Sequence, residues 1–160
     1  MQRRRPPLQP DPSLRNGPMP EASTTPDLAN RWRESAEAHA RRDFDEMISF
    51  FASDAVWDSS AAGVGAYFEG VTAIRSFLEE WIASFEDYEY NQEESQDLGN
   101  GVSFVVATFG GRPASSSGGR MREQRSYTVT WTEGMIKRVV GRADIDEARA
   151  DAQRLAAGRG

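Results

Sequence analysis

Apolar residues recur every three or four positions in the first half of the chain and at every second position later on. Leu28, Trp32, Ser35, Ala36, His39 and Ala40 share one helical face. Thr25-Pro26-Asp27, just before them, supplies a capping hydroxyl, a first-turn proline and an acid near the positive end of the dipole, so a helix is predicted to start there. Asp43 and Glu46 have capping-box spacing. Phe44, Met47, Ile48 and Phe51 follow at i, i+3, i+4 and i+7, predicting a second, short helix. "AVW", ending at Trp57, predicts a short strand, and a loop bearing Gly63, Gly65 and Gly70 carries Tyr67 and Phe68. A third helix is predicted from the broad stripe of Val71, Ile74, Phe77, Leu78, Trp81, Ile82 and Phe85, with Glu79 and Glu80 off the stripe.

Strands are then predicted around Tyr88–Glu94, Val102–Phe109, Arg122–Thr132 and Met135–Gly141, the last two joined by a short Glu-Gly hairpin connection. "GGRPASSSGGR", from Gly110, reads as a flexible connection. From Asp144, "DIDEARADAQRLAA" has helical spacing and i,i+4 charge pairs but a thin apolar face. Helices first and strands afterwards predict an α+β fold, with an antiparallel sheet curving over a cavity and about three helices gathered on its concave face.

Composition changes this picture mainly at the start of the chain. Residues 1–26 hold seven of the eight prolines and four arginines against Asp11 and Glu21, so this segment is +2 and the remainder carries −8 of the chain's net −6. A segment with so few large apolar side chains cannot offset the entropy of ordering, so 1–26 is expected to be a disordered tail. The domain is expected over 27–157, with 158–160 as a disordered end. No apolar run follows the basic start, so no secretion signal is expected, and no run approaches the roughly 20 residues that span a bilayer. Acidic charge argues against general nucleic-acid binding. The absence of cysteine fits a cytoplasmic protein, and a single histidine leaves no metal site, so no metal or cofactor is expected.

Three stretches carry a resemblance: "RRDFDEMISFFASDAVWD", "FEGVTAIRSFLEEWIASFEDYEY" and "YTVTWTEGMIKRVVGRADIDEARA". Between Pro26 and Ala157 the chain resembles the NTF2-like superfamily, most closely its SnoaL-like branch. Gly70, Ala73, Ile74, Arg75 and Phe77 fall on that family's helix pattern. The resemblance implies a cone-shaped fold enclosing an apolar pocket, and a homodimer commonly formed through sheet surfaces. It implies no single activity, because such a fold hosts isomerases, cyclases, epoxide hydrolases and binding proteins alike.

Candidate chemistry concentrates on two strands. Alternation puts Trp57 and Ser59 on one face and Val56 and Asp58 on the other. The resemblance places Ser59 where ketosteroid isomerases carry their general base, and a serine without a histidine beside it cannot replace a carboxylate. A one-residue bulge would instead turn Asp58 into the pocket. On the penultimate strand Arg125, Tyr127, Val129 and Trp131 share a face. The resemblance places Tyr127 at the oxyanion donor of the isomerases, a role a tyrosine hydroxyl can fill, and places Ser35 where their tyrosine stands. Arg125-x-Tyr127 also resembles the Arg-x-Asp of limonene-type epoxide hydrolases, with Tyr127 in place of one carboxylate.

Three functions follow as expectations. One is binding of a small apolar molecule in a pocket lined by Trp32, Ser35, Trp57, Ser59, Tyr67, Phe68, Trp81, Tyr127, Val129 and Trp131, with Tyr88 and Tyr90 as further wall candidates. The second is a cofactor-independent isomerase, cyclase or hydrolase with Asp58 as base or acid, Tyr127 as hydrogen-bond donor and Arg125 orienting charge. The third is a protein-interaction adaptor. His39, at the end of the first helix, is expected as a surface or helix C-terminal histidine.

Overall fold

The structure is a computed structural model that describes residues 27–62, 66–115 and 118–159. The expected tail lies outside these residues. Helix α1 (Leu28–Ala40) is capped by Asp27, whose Oδ1 accepts the Asn30 N–H at 3.3 Å. Helix α2 (Phe44–Ile48) is capped in the same way by Asp43, accepting from Glu46 at 3.1 Å. Phe51, assigned by periodicity to that helix, instead opens strand β1 (Phe51–Asp58), yet still faces the core. A single 3-10 turn (Ser60–Ala62) leads to β2 (Tyr67–Glu69), a short edge strand in a stretch expected to be a loop. Helix α3 (Val71–Ala83) follows Gly70, whose φ of +92° is open to glycine without strain.

Four strands complete the sheet: β3 (Glu89–Gly99), β4 (Val102–Gly111), β5 (Met121–Thr132) and β6 (Met135–Arg142). The order is β2-β1-β6-β5-β4-β3 in one curved, unclosed sheet. All neighbours run antiparallel except β1 and β6, so the sheet is mixed where an antiparallel one was expected. The parallel pair is a long crossover: β2, α3 and three further strands intervene before the chain returns to β1's side.

Every residue of β4 is buried, so both faces of the sheet are covered there. On the concave face, Val105 and Ala107 join Tyr127 and Val129 of β5, Ile136 and Val139 of β6, Leu28 and Trp32 of α1, and Ile74 and Leu78 of α3. On the convex face, Phe104 and Val106 meet Ala148 and Ala152 of helix α4 (Ile145–Arg159). The thin apolar face of the last helix is thus a stripe of alanines, Ala148, Ala152 and Ala156, that lets it lie close against the sheet. Arg149 adds an ion pair to Glu94 of β3, and its guanidinium carbon sits 5.0 Å over the Phe104 ring. The helix runs to Arg159, past the end expected at Ala157, where Arg159 Nε donates to the Asn100 carbonyl at 2.9 Å. Among the described residues no helix is long and apolar enough to cross a membrane.

Candidate functional site

A cavity lies between α1, α3 and the concave face. Its walls include Trp32, Ser35, Ala36 and His39 from α1, Phe77, Leu78 and Trp81 from α3, and Trp57 and Ser59 from β1. Tyr88 and Tyr90 enter from the start of β3, and Arg125 and Tyr127 from β5. Met47 and Phe51 close the remaining side. The volume is about 50 Å³, enough for a few waters or a handful of heavy atoms, since one water takes about 10–15 Å³ on this measure. The walls are aromatic and mutually packed. The Trp32 and Trp57 rings stack with centroids 6.3 Å apart, and Tyr127 lies 5.4 Å from Trp32 and 5.8 Å from Trp57.

Strand alternation decides the part played by β1. Trp57 and Ser59 both face the cavity, and the indole N–H of Trp57 donates to Ser59 Oγ at 2.9 Å. Gly141 on β6 makes this possible, because a Cβ there would stand 2.7 Å from Ser59 Oγ. Asp58 points the other way and is not among the wall residues. Its carboxylate accepts the Ser60 N–H at 3.0 Å and the Ser60 hydroxyl at 2.6 Å, and faces Arg138 at 3.3 Å. The Ser60 hydroxyl, with help from its N–H and Arg138, holds the Asp58 carboxyl below the usual aspartate range. β1 does carry a register shift against β6, but it falls between Phe51 and Val56, upstream of Trp57, and leaves Asp58 outside. The expectation that Asp58 acts in the pocket as base or acid is corrected accordingly.

Four expected wall residues lie elsewhere. Tyr67 is 49 % exposed on the edge strand β2, where alternation turns its neighbour Phe68 inward instead. Phe68 stands behind the wall, its ring stacked 4.5 Å from that of Phe77. Val129 and Trp131 belong to the core on the same face of β5, and the Trp131 indole donates to Ser103 Oγ at 2.9 Å, away from the cavity. Trp32, Ser35, Trp57, Ser59, Trp81, Arg125 and Tyr127 are brought together.

His39 stands in the last turn of α1, as one of the two expected placings had it, but it is buried in the cavity wall rather than at the surface. The signal was present, since His39 sits four residues after Ser35 and seven after Trp32 on one helical face. Its Nε2 donates to the Leu78 carbonyl at 2.8 Å, which leaves Nδ1 as the acceptor nitrogen. Desolvation depresses its pKa below the ordinary histidine value, so the imidazole is neutral near pH 7.

The polar groups of the cavity are mostly hydrogen-bond donors. Ser35 donates to the Met47 carbonyl at 3.1 Å, and the Trp32 indole donates to the Tyr90 hydroxyl at 3.0 Å, which in turn meets Gln92 Oε1 at 3.1 Å. Burial pushes the Tyr88 hydroxyl up to about 12, and carries Tyr90 and Tyr127 well above the ordinary tyrosine value. All three phenols therefore remain protonated across the physiological range. Among the described residues, none of those in the wall is an Asp or Glu. Arg125, with its side chain 7 % exposed, donates from Nη2 to Glu123 at 2.7 Å, and its guanidinium carbon stacks 5.0 Å over Phe109.

These features agree with comparisons against known proteins. A model of the SnoaL-like domain matches residues 32–139, more than half of the chain. No curated protein is similar enough in sequence to count as a relative. Among solved structures, a Catenulispora acidiphila protein with a ketosteroid isomerase-like fold, in complex with trimethylamine, is 16 % identical with a TM-score of 0.63, covering 81 % of this chain and 94 % of that one. An NTF2-like protein of unknown function from Burkholderia pseudomallei is 18 % identical, with a TM-score of 0.63 and coverages of 80 % and 98 %. A Mycobacterium tuberculosis protein in complex with estradiol-17beta-hemisuccinate is 16 % identical, with a TM-score of 0.61 and coverages of 74 % and 95 %. At these identities the likeness speaks for the fold, and the family model carries the assignment: this chain belongs to the SnoaL-like family of NTF2-like proteins.

Proposed function

We infer that the protein binds a small, largely apolar molecule in the cavity between α1, α3 and the sheet. The observation that carries this reading is a free space walled by aromatic rings and edged by a few convergent polar groups, the usual composition of a ligand site. The volume limits the guest to a compact molecule unless the half-buried Phe77 and Trp81 at the α3 side move. That the Catenulispora and Mycobacterium proteins, of similar fold, were each solved in complex with a small molecule supports a ligand role.

Binding is favoured over acid–base catalysis by the wall chemistry. With Asp58 outside, the cavity offers donors from Arg125 and the tyrosines, while the one imidazole spends its Nε2 proton on the Leu78 carbonyl. A soluble, cytoplasmic protein that needs no cofactor remains the simplest setting. The homodimer implied by the family would have to form away from the β3–β5 outer face, which α4 occupies.

The test is a thermal-shift and tryptophan-fluorescence screen of compact metabolites against the full chain and its Ala36→Leu variant. A ligand at 100 times its dissociation constant should stabilise the parent by about 2.7 kcal/mol. The variant, with the added side chain filling the space, should lose that stabilisation. Equal stabilisation of both proteins would place the ligand elsewhere and defeat the reading.

A further inference from the structure

Among the described residues Arg125 is the one fully charged group in the cavity wall, and it is incompletely satisfied. Its Nε is buried without any hydrogen-bond partner, while Nη2 reaches Glu123, whose own side chain is 43 % exposed. The guanidinium carbon lies 5.0 Å over the Phe109 ring and 6.0 Å from that of Trp81, so aromatic rings support it but supply no acceptor in the ring plane. A buried charged donor without an acceptor is costly, and such groups are rarely retained unless something completes them. Two residues along the same strand, Tyr127 lines the same wall and carries a hydroxyl able to donate a hydrogen bond. Both side chains line the cavity, and among the described residues nothing receives the Arg125 Nε proton.

The remaining walls state what kind of acceptor would suit. No carboxylate lines the cavity, and His39 is neutral, so the local balance is positive. An alkylammonium guest would find aromatic faces of the kind that hold cations, but it would sit beside a desolvated guanidinium and be repelled. A neutral guest would leave Arg125 Nε unpaired. An anionic oxygen is matched to both donors, and guanidinium-to-carboxylate hydrogen bonds are the stronger, charge-assisted kind.

We propose that the cavity selects a compact carboxylic acid in its ionised form, with the carboxylate taken by the Arg125 guanidinium and the Tyr127 hydroxyl and the apolar body against Trp32, Trp57 and Phe77. This rests on the cavity being a ligand site, and it names the class of ligand.

The experiment is a two-dimensional NMR titration of the full chain, following the indole N–H signals of Trp32 and Trp57, with three guests of similar size: isobutyrate, isobutyramide and trimethylammonium. Isobutyrate should shift both indoles saturably, and isobutyramide should bind at least about tenfold more weakly, as loss of a charged hydrogen bond implies. Trimethylammonium should cause no saturable shift. Arg125→Met should remove the preference for isobutyrate over isobutyramide, and Arg125→Lys should keep part of it. The comparison of guests on the unaltered protein decides the matter even where a variant fails to fold. Equal or tighter binding of isobutyramide or trimethylammonium would overturn the charge selection while leaving the cavity as a binding site. No saturable response to any guest would overturn the ligand reading itself and this proposal with it.

Discussion

The two faces of β4 and β5 are built from the same strands and end up opposite in character. On the convex side, Phe104 and Val106 are closed over by Ala148 and Ala152, and the polar residues around them find partners on α4. On the concave side, Tyr127 and Arg125 face large rings that do not close completely, and the buried Arg125 Nε is left without an acceptor. Small side chains opposite large ones give a dry seam, whereas large rings opposite large rings leave space between their edges. The difference teaches that the sealed face stabilises the sheet and the open face is available for recognition.

The contrast breaks most severely where the seal is removed. Phe104→Ala should cost about 3–5 kcal/mol, because the side chain is fully buried and α4 cannot collapse onto the void. Denaturant melts check this, and guest binding in the folded fraction should be unchanged. A matched pair of insertions sharpens the same point. Ala152→Leu forces extra methylenes into the dry seam and should cost about 1–3 kcal/mol, whereas Ala36→Leu grows into existing space and should cost less than about 1.5 kcal/mol while abolishing binding. Similar costs at the two positions would mean that the concave side is as tightly packed as the convex one.

A smaller effect comes from pH. The folded-state pKa of His39 is depressed, so the unfolded chain takes up its proton first as pH falls. Its contribution is complete above about pH 6.5, the ordinary histidine value, and is lost as pH drops below it toward the folded-state pKa. Equilibrium unfolding from pH 7.5 to 5 should show this slope, and His39→Gln, which still offers a donor toward the Leu78 carbonyl, should flatten it. The smallest effect is expected at Asp58. Asp58→Asn keeps an acceptor for Ser60 and should change stability by less than about 1 kcal/mol, with binding unaltered.

Much of this contrast was legible in the sequence, and the exceptions have physical causes. Period-two alternation put Trp57 and Ser59 on one face and Asp58 on the other, and the structure keeps that phase because the irregularity in β1 falls before Trp57. Arg125 and Tyr127 shared a predicted face for the same reason. Alternation does not say how far along a face the cavity extends, which is why Val129 and Trp131 were expected in its wall and lie in solid core. Tyr67 was expected in the wall as one of the aromatic residues, but a strand only three residues long, at the sheet edge, leaves it in solvent. Hydropathy undervalued α4, since alanines give little apolar signal yet permit close approach. It also misjudged His39, whose helical phase with Trp32 outweighed its polarity.

The most direct test is a crystal structure of the full chain grown with isobutyrate. The account predicts the carboxylate within hydrogen-bond distance of Arg125 Nε and the Tyr127 hydroxyl, with the methyl groups against Trp32 and Trp57. Density for solvent alone in the cavity, or a guest whose carboxylate turns away from Arg125, would contradict it.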